Sequence, residues 1–138
     1  MPVLTGRIAM RWLMAAFYLA AGLLHLRSPE AFLPIVPGWV PAPRLVVIIT
    51  GVAEILGAIG LLAPRLRQTA GIGLALYAVC VFPANIKHAL EGVALAGLPS
   101  SWWYHAPRLA LQPVLVWWAL YVGEVIDWPW RSGARDRS

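Results

Sequence analysis

From Thr69 to Ile86 the chain carries no charged side chain, and three other stretches come close to that state. Residues 8–26 are apolar apart from Arg11 and His25, residues 45–63 hold the single charge of Glu54, and residues 109–126 hold only Glu124, near their far end. Each stretch is long enough to cross a hydrocarbon core of about 30 Å as a helix. In lipid, every backbone polar group has to be satisfied within the segment, so an unbroken apolar run of this length reads as helix. Four spans at about 8–26, 45–63, 69–88 and 108–126 predict an all-α transmembrane four-helix bundle, one membrane domain over residues 1–138.

Composition agrees. Charged residues make up 12% of the chain and hydrophobic ones 60%, about half the charge of an ordinary soluble domain. That excludes both a soluble globular unit and a disordered tail. The formal charge of +5 would suggest nucleic acid in a soluble protein. Here the bases sit at the ends of apolar runs, so membrane lipids are the expected partner and nucleic acid is not. The single cysteine, Cys80, lies inside an apolar run, which leaves no disulfide within the chain and no CxxC thiol pair. A cleaved signal sequence is the rival reading of the first run, with Arg7 and Arg11 ahead of it and Ala20-Ala21-Gly22 near a cleavage site. Losing that run would strip a small-residue face of its partner, so four spans are retained.

The basic residues set the expected orientation. Arg7, Arg11, Arg65, Arg67, Arg131, Arg135 and Arg137 fall on one side, against Arg27, Arg44, Lys87 and Arg108 on the other. Both termini are therefore expected in the cytoplasm of a bacterium, with the chain in its cytoplasmic membrane. Trp128 and Trp130 mark the inner boundary, and Trp39 with Trp102-Trp103-Tyr104 the outer one. The outer loop from Ser28 to Arg44 carries Pro29, Pro34, Pro37, Pro41 and Pro43. Ser28 can cap a short helix that opens on Pro29 and that Pro34 prevents from extending. The segment is too apolar for a free loop. It lies either across the outer mouth of the bundle or in the interface as an anchor.

An ionisable group at mid-span costs roughly 2.5–3.5 kcal/mol, so the polar residues inside the spans are informative. Glu54 shares a helical face with Thr50, Gly51, Gly57 and Ala58, which directs its carboxyl into the bundle, protonated or beside a cation. His25 shares a face with Tyr18, Ala21 and Gly22. Asn85 and His88 lie on one face near the end of the third span, while Lys87 points away and is expected to snorkel. Arg108 and Gln112 open the fourth span on one face. Pro83 and Pro113 release the carbonyls of Val79 and Leu109, which suits backbone that lines a cavity. His25, Glu54, Asn85, His88, Arg108 and Gln112 are thus expected to converge in the outer half. They form either a ligand or reaction site or a polar network that fixes helix register. The inner half is expected to hold mainly arginines at the lipid surface.

Several chemistries fit this set poorly. Ser28, Ser100, Ser101, Ser132 and Ser138 all lie in loops or the tail, away from a histidine-carboxylate pair. His25, His88 and Glu54 lack the spacing of a zinc motif, so no metal site is assigned. Haem ligation by His25 and His88 is a weaker alternative. A quinone or other lipophilic carbonyl compound fits best. His25, Asn85, Arg108 and Gln112 supply hydrogen-bond donors, and Glu54 carries a proton.

Five motifs in order, AGLLHL (21–26), IVPGWVPAP (35–43), TGVAEILG (50–57), FPANIKHAL (82–90) and RLALQPVLVWWA (108–119), resemble the DoxX-like family of small bacterial membrane proteins. The resemblance implies a four-helix membrane bundle and an association with thiosulfate:quinone oxidoreduction and membrane oxidoreductase complexes. His25, Pro37, Glu54, Pro83, Asn85, Arg108 and Gln112 occupy the matching motif positions; Ala110 departs from a proline common in relatives. The expected function is a quinone-linked or small-lipophile-binding component of an oxidoreductase system, alone or as a homo-oligomer, with oxidoreductase subunits as partners. The alternatives are a non-catalytic anchor or assembly factor that recruits a soluble enzyme through its inner arginines, and a small transporter.

Overall fold

A computed structural model of the chain describes residues 2–91 and 101–130. Among the described residues all regular structure is helical: α1 (Pro2–Arg27), a 3-10 helix (Pro29–Ile35), α2 (Pro43–Leu62), α3 (Arg67–Cys80), α4 (Phe82–Leu90), α5 (Trp102–Ala110) and α6 (Gln112–Val122). Three lengths, Leu4–Arg27, Pro43–Leu62 and Arg67–Leu90, are long and apolar enough to cross a membrane. The fourth expected span differs. It begins earlier, because the Ser101 hydroxyl accepts the Trp103 N–H and caps α5, so Trp102-Trp103-Tyr104 open a helix instead of preceding one. It then breaks at Leu111 ahead of Pro113 and ends at Val122. Arg131, Arg135 and Arg137 lie outside the described residues, as do Ser100, Ser132 and Ser138.

α2 packs against α1 on one flank and α3 on the other, and α6 packs against α3. Two glycine contacts set these distances. A Cβ on Gly22 would stand 2.6 Å from the Gly51 carbonyl oxygen, so the α1 and α2 backbones touch there. A Cβ on Gly71 would stand 2.8 Å from both the Ala119 carbonyl oxygen and the Gly123 Cα, so α3 and α6 touch in the same way. Between them lies a core of Met14, Tyr18, Ala58, Leu61, Leu74, Ala119, Tyr121 and Val122. Outside it, Leu13, Phe17, Leu56, Leu76 and Val79 are exposed. That inside-out distribution of apolar surface suits a hydrocarbon solvent.

The arginines expected at the lipid surface are engaged within the chain. Arg11 is buried; its Nε donates to the Val122 carbonyl at 2.8 Å and its Nη2 to Glu124 Oε1 at 2.7 Å. Arg67 Nη1 reaches the same Glu124 oxygen at 3.0 Å, and Arg7 Nη2 reaches Asp127 Oδ1 at 2.6 Å. The cause is the released end of α6. Its Val122 carbonyl is left to Arg11, and the chain beyond it returns two carboxylates to α1 and α3. Arg65 stays exposed.

At the opposite end, Lys87 is engaged within the chain. Its Nζ donates to the Val36 carbonyl at 2.8 Å and ties the segment after the 3-10 helix to α4. Ser28 gives no side-chain cap; Pro29 alone opens the 3-10 helix, and Pro34 sits inside it, one residue from its end. Pro83 and Pro113 stand in the first turns of α4 and α6, just past single-residue interruptions at Val81 and Leu111 that keep right-handed helical backbone.

Because the Gly71 contact is backbone against backbone, Gly71→Val forces α3 and α6 apart. Thermal unfolding in detergent is expected to show a loss of about 1–3 kcal/mol. Gly73→Val, where a Cβ meets nothing within 4 Å, is expected to leave the transition in place.

Candidate functional site

Glu54 comes first, because the α1–α2 contact fixes it. Where Gly22 and Gly51 let the two backbones touch, the next inward positions are His25 on α1 and Glu54 on α2. Glu54 is 3% exposed. Tyr77, on α3, donates its hydroxyl to Glu54 Oε1 at 2.6 Å. His25 Nδ1 lies 2.8 Å from the Ala21 carbonyl oxygen and 3.0 Å from Glu54 Oε2. A carbonyl can only accept, so Nδ1 carries the proton and directs it to Ala21. Oε2 therefore has the imidazole beside it as an ion-pair neighbour, and no well-aligned hydrogen bond to it forms among the described residues. Phe32, from the 3-10 helix, stacks on the His25 ring at 4.0 Å between centroids and holds its plane.

A second cluster forms where the helices break. Arg108 Nη2 donates to Asn85 Oδ1 at 2.5 Å, Asn85 Nδ2 to Gln112 Oε1 at 3.1 Å, and Gln112 Nε2 to the Ala78 carbonyl at 2.7 Å. The chain starts at a group that can only donate and ends at one that can only accept, so both amide orientations are determined. The break at Val81 is what releases a carbonyl for Gln112. It is that of Ala78, one residue before the Val79 carbonyl expected from Pro83. Arg108 Nη1 also meets His88 Nδ1 at 2.8 Å. The guanidinium cannot accept, so Nδ1 is the unprotonated nitrogen of His88. Among the described residues no carboxylate pairs with Arg108.

Both clusters line one cavity of about 840 Å³, whose walls are otherwise apolar. The volume falls within the range of pockets that enclose a small organic ligand. Phe32, Ile35, Val36, Trp39 and Val40 close one end, so the proline-rich segment does lie over the cavity. One flank is open. α1 meets α6 through Trp118 Nε1 on the Met10 carbonyl and Arg11 on the Val122 carbonyl, both toward the basic end. Farther along, Phe17, Leu111 and Val114 line the cavity and are all exposed.

Five of the six expected residues, His25, Glu54, Asn85, Arg108 and Gln112, line this cavity. They form two poles rather than one cluster. His88 stands behind Arg108, fully buried and outside the lining. Two participants are additional. Tyr77 lies one helical face along from Asn85, two turns earlier, but a lone phenol in an apolar run reads as core. His105 packs edge-on against His88 at 4.7 Å and is 1% exposed, with neither ring nitrogen hydrogen-bonded among the described residues. Placing the span's start at 108 had left it outside the helix.

A family model described as Domain of unknown function (DUF8561) matches residues 14–123, and the chain belongs to that family. The match takes in all seven motif and cavity positions named above, from His25 to Gln112. No curated protein and no solved structure matches the chain.

If the Tyr77 hydroxyl compensates the buried carboxyl, Tyr77→Phe and Glu54→Gln are coupled. A double-mutant cycle on unfolding in detergent is expected to return about 1 kcal/mol or more. A cycle that closes at zero removes Tyr77 from the site.

Proposed function

We propose that this member of the DUF8561 family is a four-helix membrane bundle that binds a quinone or similar oxygen-bearing lipophile as a component of a membrane oxidoreductase system. The observation that carries the reading is the cavity: an apolar chamber of about 840 Å³ with a cationic, donor-rich pole at Arg108 and an anionic pole at Glu54. A flat lipophile with oxygens at separate positions matches that layout. Arg108, Asn85 and Gln112 orient one oxygen, and Glu54 with Tyr77 and His25 accepts or returns a proton at the other. The exposed flank between Phe17 and Val114 gives such a molecule a path from the hydrocarbon without passing through water. The motif resemblance to the DoxX-like family supports the same assignment.

Orientation in a bacterial cytoplasmic membrane with both termini inside follows from Arg7, Arg65 and Arg67, which stand at one end of the helices. α5 and α6 together supply the fourth crossing, with Gln112 beside their break bonded inward to the Ala78 carbonyl. The anchor reading has less support. Of the inner arginines it relies on, Arg67 is committed to Glu124 while Arg65 is exposed, and Arg131, Arg135 and Arg137 lie outside the described residues.

A short-tailed benzoquinone titrated against the detergent-solubilised protein is expected to quench tryptophan fluorescence saturably. Arg108→Ala should weaken that binding by about tenfold or more, the worth of a charge-assisted hydrogen bond. Glu30→Gln, which removes an exposed ion pair with Arg44, should not change it. Equal affinity in Arg108→Ala and wild type sinks the proposal.

A further inference from the structure

The two poles make different demands on whatever occupies the cavity. At the Arg108 pole the guanidinium, the Asn85 and Gln112 amides and the Ala78 carbonyl bond one another in sequence, and the guanidinium still offers positive charge to an acceptor oxygen. At the Glu54 pole the balance is reversed. Oε1 is served by Tyr77, whereas Oε2 is buried and accepts no hydrogen bond among the described residues. The His25 Nδ1–H faces the Ala21 carbonyl and stands 3.0 Å from Oε2 as an ion-pair neighbour, which leaves Oε2 to accept from a donor in the cavity. A buried carboxylate oxygen without a donor is costly, and more so in a low-dielectric setting.

Resting on the cavity reading above, we propose that the ligand binds with a hydroxyl group donating to Glu54 Oε2, which makes this a site for a lipophilic phenol in preference to its ether or carbonyl counterpart. Tyr77 and Thr50 line the same wall, and Phe32 fixes the His25 ring, so Oε2 cannot turn to another partner without giving up the Tyr77 bond. The opposite end of the ligand then meets Arg108 through an acceptor oxygen or lies against the apolar wall. If the occupant is a quinone-type molecule, its reduced, hydroxyl-bearing form is the one that Glu54 holds.

The test compares 4-heptylphenol with 4-heptylanisole, which differ by one methyl group on the oxygen. Binding to the full chain in detergent is followed by tryptophan quenching, with free ligand corrected for micelle uptake. The phenol is expected to bind wild type about tenfold or more tightly than the anisole. In Glu54→Gln that preference should shrink to about twofold, with anisole affinity unchanged as the sign that the cavity is intact. Tight and equal binding of both compounds by wild type overturns the hydroxyl proposal and leaves the cavity reading standing. Binding of neither, together with no response to the benzoquinone, overturns both. If the Gln variant does not fold, the wild-type comparison alone decides.

Discussion

Two backbone contacts, at opposite ends of the molecule, determine its shape. Gly22 against Gly51 draws α1 onto α2 toward the proline-rich end, and Gly71 against Gly123 draws α6 onto α3 toward the basic end. Side chains elsewhere keep helices roughly 8–10 Å apart, so these contacts act as pinch points. α1 leans toward α2 just where α5 and the start of α6 have no glycine to bring them close. The space left between them is the cavity, and its open flank has the same origin. His25 meets Glu54 because the first pinch lies one turn from both.

The breaks at Val81 and Leu111 do related work for the second pole. An interrupted helix leaves a carbonyl without its donor, and in an apolar setting that deficit has to be met locally. Gln112 meets it for Ala78, Asn85 occupies Gln112, and Arg108 occupies Asn85. A backbone defect is thereby converted into a fixed cationic group at the cavity wall. The opposing carboxylate and guanidinium stand on different helices with apolar surface between them, which keeps the field across the chamber strong.

Hydropathy made the helices readable, since burial in hydrocarbon selects for long apolar runs regardless of tertiary detail. The inward direction of Glu54 was equally legible, because Gly51, Gly57 and Ala58 on its face permit a neighbour to approach. What local pattern does not carry is pairing at long range. Nothing near Arg11 points to Glu124, and a cation at the start of a run looks like a lipid-facing one. Lys87 is a similar case, since its acceptor is a backbone carbonyl with no signature in sequence. The start of the fourth helix was missed because two adjacent tryptophans resemble a boundary belt, although Ser101 ahead of them is a sound capping residue. His105 went with it. Tyr77 is harder, as only the partner on α2 distinguishes a hydrogen-bonded phenol from a packed one.

Arg11 and Glu124 are separated by 113 positions. During synthesis α1 emerges and must be accommodated while its carboxylate partner does not yet exist. Until Glu124 is made, that guanidinium is without the ion pair it has when buried in the folded protein. Glu124 and Asp127 then give Arg11 and Arg7 their partners. The segment after α6 thus acts as a latch on α1, and its two carboxylates are what let the arginines of α1 lie within the fold.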